Sequence, residues 1–344
     1  MTRKAVLICP GRGTYNKPEL GYLHRHHGDK AALFAGFDAQ RSAAGQEEVT
    51  TLDGATRFSV SKYSRGDIAS PLIYAASLAD AQSLAKDIEV VAVTGNSMGW
   101  YIALAAAGAL SAEDGFTVVN TMGTLMQEQL IGGQLVYPFA GADWQNDPAR
   151  KAELLAIVAD INTRAGHDLV LSIDLGGMLV LAGNEAGLSA FEAAVPVVEE
   201  RFPMRLANHA AFHTSLQAPV AAEGRKRLAA GMFSQPKVPL IDGRGHVWWP
   251  GATDTQALWD YTLGHQVVEP YDFTRAVQNG ALEFAPDLFI VTGPGTTLGG
   301  AVAQSLVHAG WQGMSGKADF KAQQAKAPSL ISMGDDAQRA IVTG

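Results

Sequence analysis

The chain has 344 residues, 47% of them hydrophobic and 17% charged, a balance that specifies a globular protein and excludes a disordered or fibrous one. Its formal net charge of −8 argues against nucleic acid or an anionic membrane surface as the main partner. A single cysteine, Cys9, excludes an internal disulfide and suits a reducing, cytoplasmic setting. In chain order, the apolar run at 5–9 ends at Pro10-Gly11, too soon for the apolar region of a signal peptide, and reads as a first core strand. No apolar stretch is long enough to span a bilayer. The glycine loop Pro10-Gly11-Arg12-Gly13 follows. The segment His24-Arg25-His26-His27 lacks cysteine or carboxylate ligands at metal-binding spacing, so it is expected to be a solvated loop and no metal is expected there. Ser70-Pro71-Leu72 opens an alanine-rich helix, and the β-branched run at 88–94 reads as a buried parallel strand.

Gly95-Asn96-Ser97-Met98-Gly99 stands between that strand and a helix-forming run at 100–107, which stops at Gly108. A G-x-S-x-G at a strand-to-helix turn is a nucleophile elbow, with the serine exposed and the helix N-terminus offering N–H groups to a developing oxyanion. Ser111-Ala112-Glu113-Asp114 caps a further helix running towards Gln127. From Gly132-Gly133 the pattern becomes strand (135–139), helix (149–164), strand (169–173), strand (178–182), helix (185–202) and a closing strand near 206. That order is ferredoxin-like. The expected fold is therefore α/β: a hydrolase-like parallel-sheet main domain from 1–131 and 207–344, with an inserted ferredoxin-like α+β subdomain at 132–206. A last core strand is expected at 288–292, closed by Gly293-Pro294-Gly295. The final thirty or so residues, with Lys317, Lys321 and Lys326, read as a peripheral tail, and Trp248-Trp249 as packing around a hairpin.

A serine nucleophile needs a base. His213, in Ala211-Phe212-His213-Thr214, lies where the chain returns to the main domain, and His209 is its nearby competitor. At this point the blocks, taken in order, resemble the malonyl-CoA:acyl-carrier-protein transacylases and the acyltransferase domains of fatty-acid and polyketide synthases. Pro10-Gly11-Arg12-Gly13 resembles the family's P-G-Q-G loop, Gly95 to Gly99 its G-H-S-x-G elbow, and Phe212-His213-Thr214 its F-H-[ST] motif. The stretch from Asp174 to Gly183, that from Gln266 to Phe273, and Gly293-Pro294-Gly295 resemble three further family blocks.

The resemblance implies ping-pong transfer of an acyl group from acyl-CoA to the phosphopantetheine thiol of an acyl carrier protein, with no bound cofactor. Ser97 would be the nucleophile and His213 the base, oriented by the Gln266 backbone carbonyl. The N–H groups of Met98 and Arg12 would form the oxyanion hole. Arg12, Asn96, Met122 and Phe212 are the expected substrate-binding positions. Malonyl-specific members carry an arginine where this chain has Met122, and an unpaired carboxylate would be costly to bury against methionine. Two readings of the donor follow: an uncharged acyl group, or a carboxylated one whose charge is met by Arg12 instead. A hydrolase on the same fold and a non-catalytic carrier-binding homologue are the alternative functions.

Overall fold

The computed structural model describes residues 2–344. Its main sheet has six strands in the order β11-β10-β1-β2-β7-β8. These are β1 Arg3–Cys9, β2 Ile88–Gly95, β7 Leu240–Ile241, β8 Val247–Trp248, β10 Leu288–Val291 and β11 Leu330–Ser332. All neighbours run parallel except β7 and β8. Burial follows this order. The apolar β1, held between β2 and β10, is covered along Ala5–Cys9. In β2 only the second half, from Ala92, is fully buried, and the first half of this run, expected to be buried, is partly exposed.

A second sheet has the order β6-β3-β5-β4-β9, built from β3 Gly133–Pro138, β4 Leu169–Leu175, β5 Met178–Gly183, β6 Met204–Arg205 and β9 Tyr271–Asp272. Its first four strands, with helices Pro148–Asn162 and Glu185–Ala194, follow the ferredoxin-like order. The fifth strand, paired parallel with β4, comes from well beyond residue 206 and stitches the two sheets' sequence regions together. The second helix ends at Ala194, not near 202. Pro196 cannot continue a helix, and Val195 is already extended.

Three further expectations are corrected. The alanine-rich helix, α1, spans Gly66–Ala81 with Pro71 inside it. Proline cannot donate to the carbonyl four residues back, and the Arg41 guanidinium takes that acceptor instead, donating to the Asp67 carbonyl at 2.9 Å. The histidine segment is not a solvated loop. His27 is fully buried, with Nε2 2.8 Å from Asp80 Oδ1, and His24 Nδ1 lies 2.7 Å from Asp53 Oδ2. Among the described residues no cluster of metal-ligating side chains forms.

Nor is the C-terminal segment simply peripheral. Helix Lys317–Lys326 buries nothing, but β11 extends the main sheet and Arg339 donates to Asp80 Oδ1 at 2.6 Å in the interior. Trp248 is buried in the β7–β8 hairpin as expected, while Trp249 stays half exposed against Phe284. No helix among the described residues is long and apolar enough to cross a membrane.

Candidate active site

Ligands of parallel α/β sheets gather outside the carboxyl ends of the strands, and three loops meet there: the one after β1 with Arg12, the one after β2 with Ser97, and the one after β10 with Gly293. Asn96 N–H donates to the Cys9 carbonyl at 2.9 Å, locking the elbow against the end of β1. Helix α2, Gly99–Ala106, then starts so close to β1 that a Cβ on Gly99 would overlap the Cys9 carbonyl oxygen. One on Gly95 would overlap the Gly99 carbonyl. The two motif glycines are thus required by close backbone approach.

Ser97 itself has φ +55 and His213 φ +58. Left-handed backbone at a non-glycine residue costs of order 1–3 kcal/mol and persists where the surroundings over-determine it. Here that strain aims two side chains at one another. Ser97 Oγ lies 2.7 Å from His213 Nε2. His213 Nδ1 lies 2.6 Å from the Gln266 carbonyl oxygen. A carbonyl only accepts, so Nδ1 carries the proton and donates, leaving Nε2 to accept from the serine hydroxyl.

His213 is almost wholly buried. Burial is the main influence on its pKa, which is lowered to about 4 despite the opposing Gln266 carbonyl. The imidazole is therefore neutral at pH 7, as a proton acceptor must be. Its competitor His209 is bound through Nδ1 to Gln134 Oε1 at 2.8 Å, and burial, then Arg12, lowers its pKa to about 3.

The Gln266 side chain was not anticipated as a participant. Its Nε2 donates to the Ser97 carbonyl at 3.1 Å and its Oε1 accepts from Tyr101 at 3.0 Å. This clamps the elbow at Ser97, a contact between residues 169 apart with no local signature. The Met98 and Arg12 amides have no acceptor among the described residues, which leaves both free to face a ligand.

Two cavities open on Ser97. A small one of about 20 Å³ is lined by Arg12, Ser97, Met98 and His213, with Ser70 of α1 and with Gly123 and Met126 of helix α3, Ala112–Glu128. Met122 is not on its wall. It is fully buried and packs towards Gly224, so its expected place in the substrate pocket is corrected by the helix phase, which turns Gly123 and Met126 inward. The larger cavity, about 440 Å³, runs beneath the second sheet and is lined by Asn96, Phe212 and His209 together with apolar side chains such as Val136, Ile173 and Leu298. Arg12, Ser97 and Phe212 border both spaces.

Comparison with known proteins is consistent with this arrangement. A malonyl-CoA–acyl carrier protein transacylase of Bacillus subtilis is 29% identical over 213 residues, 60% of this chain and 62% of that protein. The chain thus matches less than two thirds of that relative's length. No model of a known protein family matches. The crystal structure of malonyl-CoA:acyl carrier protein transacylase from Xanthomonas oryzae superposes with a TM-score of 0.74 at 21% identity, covering 99% of this chain and 98% of the other. By fold and by distant sequence similarity, the chain is a relative of the malonyl-CoA:acyl-carrier-protein transacylases and acyltransferase domains. Another structure of this family, a malonyl-transacylase in complex with its polyketide acyl-carrier protein, superposes at 0.71 with 19% identity over 98% of this chain and 97% of the other. The likeness in fold thus extends over both sheets, including regions where the sequences have diverged.

Proposed function

We propose that this chain is a cytoplasmic acyl-CoA:acyl-carrier-protein S-acyltransferase working through an acyl ester on Ser97. The observation that carries this reading is the 2.7 Å approach of Ser97 Oγ to an imidazole whose other nitrogen is bound to a carbonyl. His213 Nε2 takes the hydroxyl proton as Oγ attacks the thioester carbon. The oxyanion is met by the N–H groups of Met98, at the head of α2, and of Arg12, in the loop after β1. Collapse expels the CoA thiolate, which takes the proton from His213 and departs as the free thiol. In the second half-reaction His213 deprotonates the phosphopantetheine thiol of a carrier protein, which attacks the ester carbon; the Oγ–acyl bond breaks and His213 returns the proton to Ser97 Oγ. The carbonyl of Gln266 holds the ring in place throughout, so no carboxylate is needed to complete a triad. The roughly 440 Å³ cavity beside Ser97 suits the pantetheine arm, being mostly apolar with a few polar groups.

Incubation with a panel of acyl-CoAs, followed by intact mass, tests the first half-reaction. A stoichiometric adduct, absent in Ser97→Ala, is expected, and holo carrier protein should discharge it. Loss of the adduct to water at the same rate without carrier protein would make the chain a hydrolase, and no adduct with any donor would leave a carrier-binding homologue.

A further inference from the structure

The loop after β1 presents a cation that forms no ion pair among the described residues. Arg12 Nη2 donates to the carbonyls of Ser64 at 2.5 Å and Asn208 at 2.9 Å, both neutral acceptors. Its guanidinium lies over the Phe212 ring at 5.5 Å. Nε and Nη1 are sealed from solvent and have no hydrogen-bond partner among the described residues. The carboxylate whose field it feels, Asp67, already accepts from Nε and Nη2 of Arg65 at 3.0 and 2.9 Å. Unpaired charged donors are among the most costly groups to enclose in a fold. They are tolerated where a ligand completes them, and the Arg12 side chain lines the space beside the Ser97 hydroxyl. Burial lowers the Arg12 pKa only to about 10, so the group is cationic at neutral pH.

Resting on the acyl-Ser97 reading, we infer that the Arg12 side chain is the specificity-determining residue of this site, binding the free carboxylate of a short carboxylated acyl group. The β1 loop thereby supplies the charge that Met122, turned towards Gly224, does not. The small cavity of about 20 Å³ has room for roughly one or two water-sized groups. That suits a carboxylate one carbon beyond the thioester carbonyl and leaves no space there for a longer chain. A guanidinium also discriminates by charge, because an uncharged acyl group would leave Nε and Nη1 unpaired.

Two measurements decide the matter. The first compares Ser97 loading from malonyl-CoA and acetyl-CoA in the unaltered protein, Arg12→Gln and Arg12→Lys. The unaltered protein is expected to favour malonyl-CoA, and the malonyl-to-acetyl rate ratio should fall about a hundredfold in Arg12→Gln and less in Arg12→Lys. Acetyl-CoA loading as fast as malonyl-CoA in the unaltered protein, or a ratio unmoved in a folded Arg12→Gln, overturns the proposal.

The second measurement needs no chemistry. Calorimetric titration of Ser97→Ala should show malonyl-CoA binding at least tenfold tighter than acetyl-CoA, with the preference lost on adding Arg12→Gln. Equal affinities overturn the role of Arg12. Absence of any adduct would sink the acyl-enzyme reading alone, since the titration still decides Arg12.

Discussion

The pH dependence of Ser97 acylation is the sharpest consequence of burying His213. A solvent-exposed imidazole with its ordinary value of 6.5 would be only about 3% neutral at pH 5, whereas one at about 4 is roughly nine-tenths neutral. The initial acylation rate at pH 5 should therefore stay within about twofold of that at pH 7.5, where an ordinary histidine would have lost about 30-fold. Below about pH 4 the imidazolium has no lone pair for the serine proton, and the rate falls tenfold per unit.

The fold itself is under acid stress over the same range. His213 and His209 both have folded values, about 4 and about 3, below the unfolded 6.5. The unfolded state therefore binds more protons, and stability is lost as pH falls from about 6.5 towards those values. Each contributes a loss of about 2 kcal/mol at pH 5. The assay is rapid-quench intact mass with saturating acyl-CoA, run beside far-ultraviolet circular dichroism at each pH so that only folded protein is scored. An acylation midpoint near 6.5 in folded protein would refute the argument, because it would mean that the imidazole is solvated and free of the desolvation that the geometry imposes.

Gly99→Ala should unfold the elbow, because its Cβ would overlap the backbone oxygen of Cys9. Overpacking against rigid backbone is expected to destabilise by about 1–3 kcal/mol or more, read as a lower urea midpoint together with lost acylation. Arg339→Ala leaves Asp80 and His27 buried without their cation. A loss of about 3–5 kcal/mol by urea unfolding is expected for breaking a buried pair, and an unchanged midpoint would show that the C-terminal segment is dispensable. Cys9, buried at the end of β1 with its pKa pushed up to about 12 by burial, should not react with a disulfide reagent in the native protein and should react once in denaturant.

Much of the site was legible because its determinants are local. A β-branched run, two glycines around Ser97 and a helix-forming run specify the elbow, since the turn is a property of adjacent backbone. The ferredoxin-like order from 132 to 206 was legible for the same reason, each element having its own periodicity and its own glycine or cap. Where a long-range contact decided the outcome, the sequence misled. Pro71 reads as a helix start, and only a guanidinium 30 residues away, taking the Asp67 carbonyl, lets the helix begin earlier. His24 to His27 reads as polar loop, and only Asp80 and Arg339, brought from distant parts of the chain, make His27 an interior residue.

By itself, then, the order of residues determined the alternation of elements, the strained serine turn and the choice of a histidine within two candidates. Tertiary structure decided which histidine meets the serine, that Gln266 clamps both, that Met122 turns away from the cavity, and that Arg12 is enclosed without an ion pair among the described residues. The division has a physical cause. Backbone preference and hydrophobic period act over a few residues, whereas hydrogen-bond satisfaction, desolvation and helix phase at a wall depend on atoms that only the completed fold brings together.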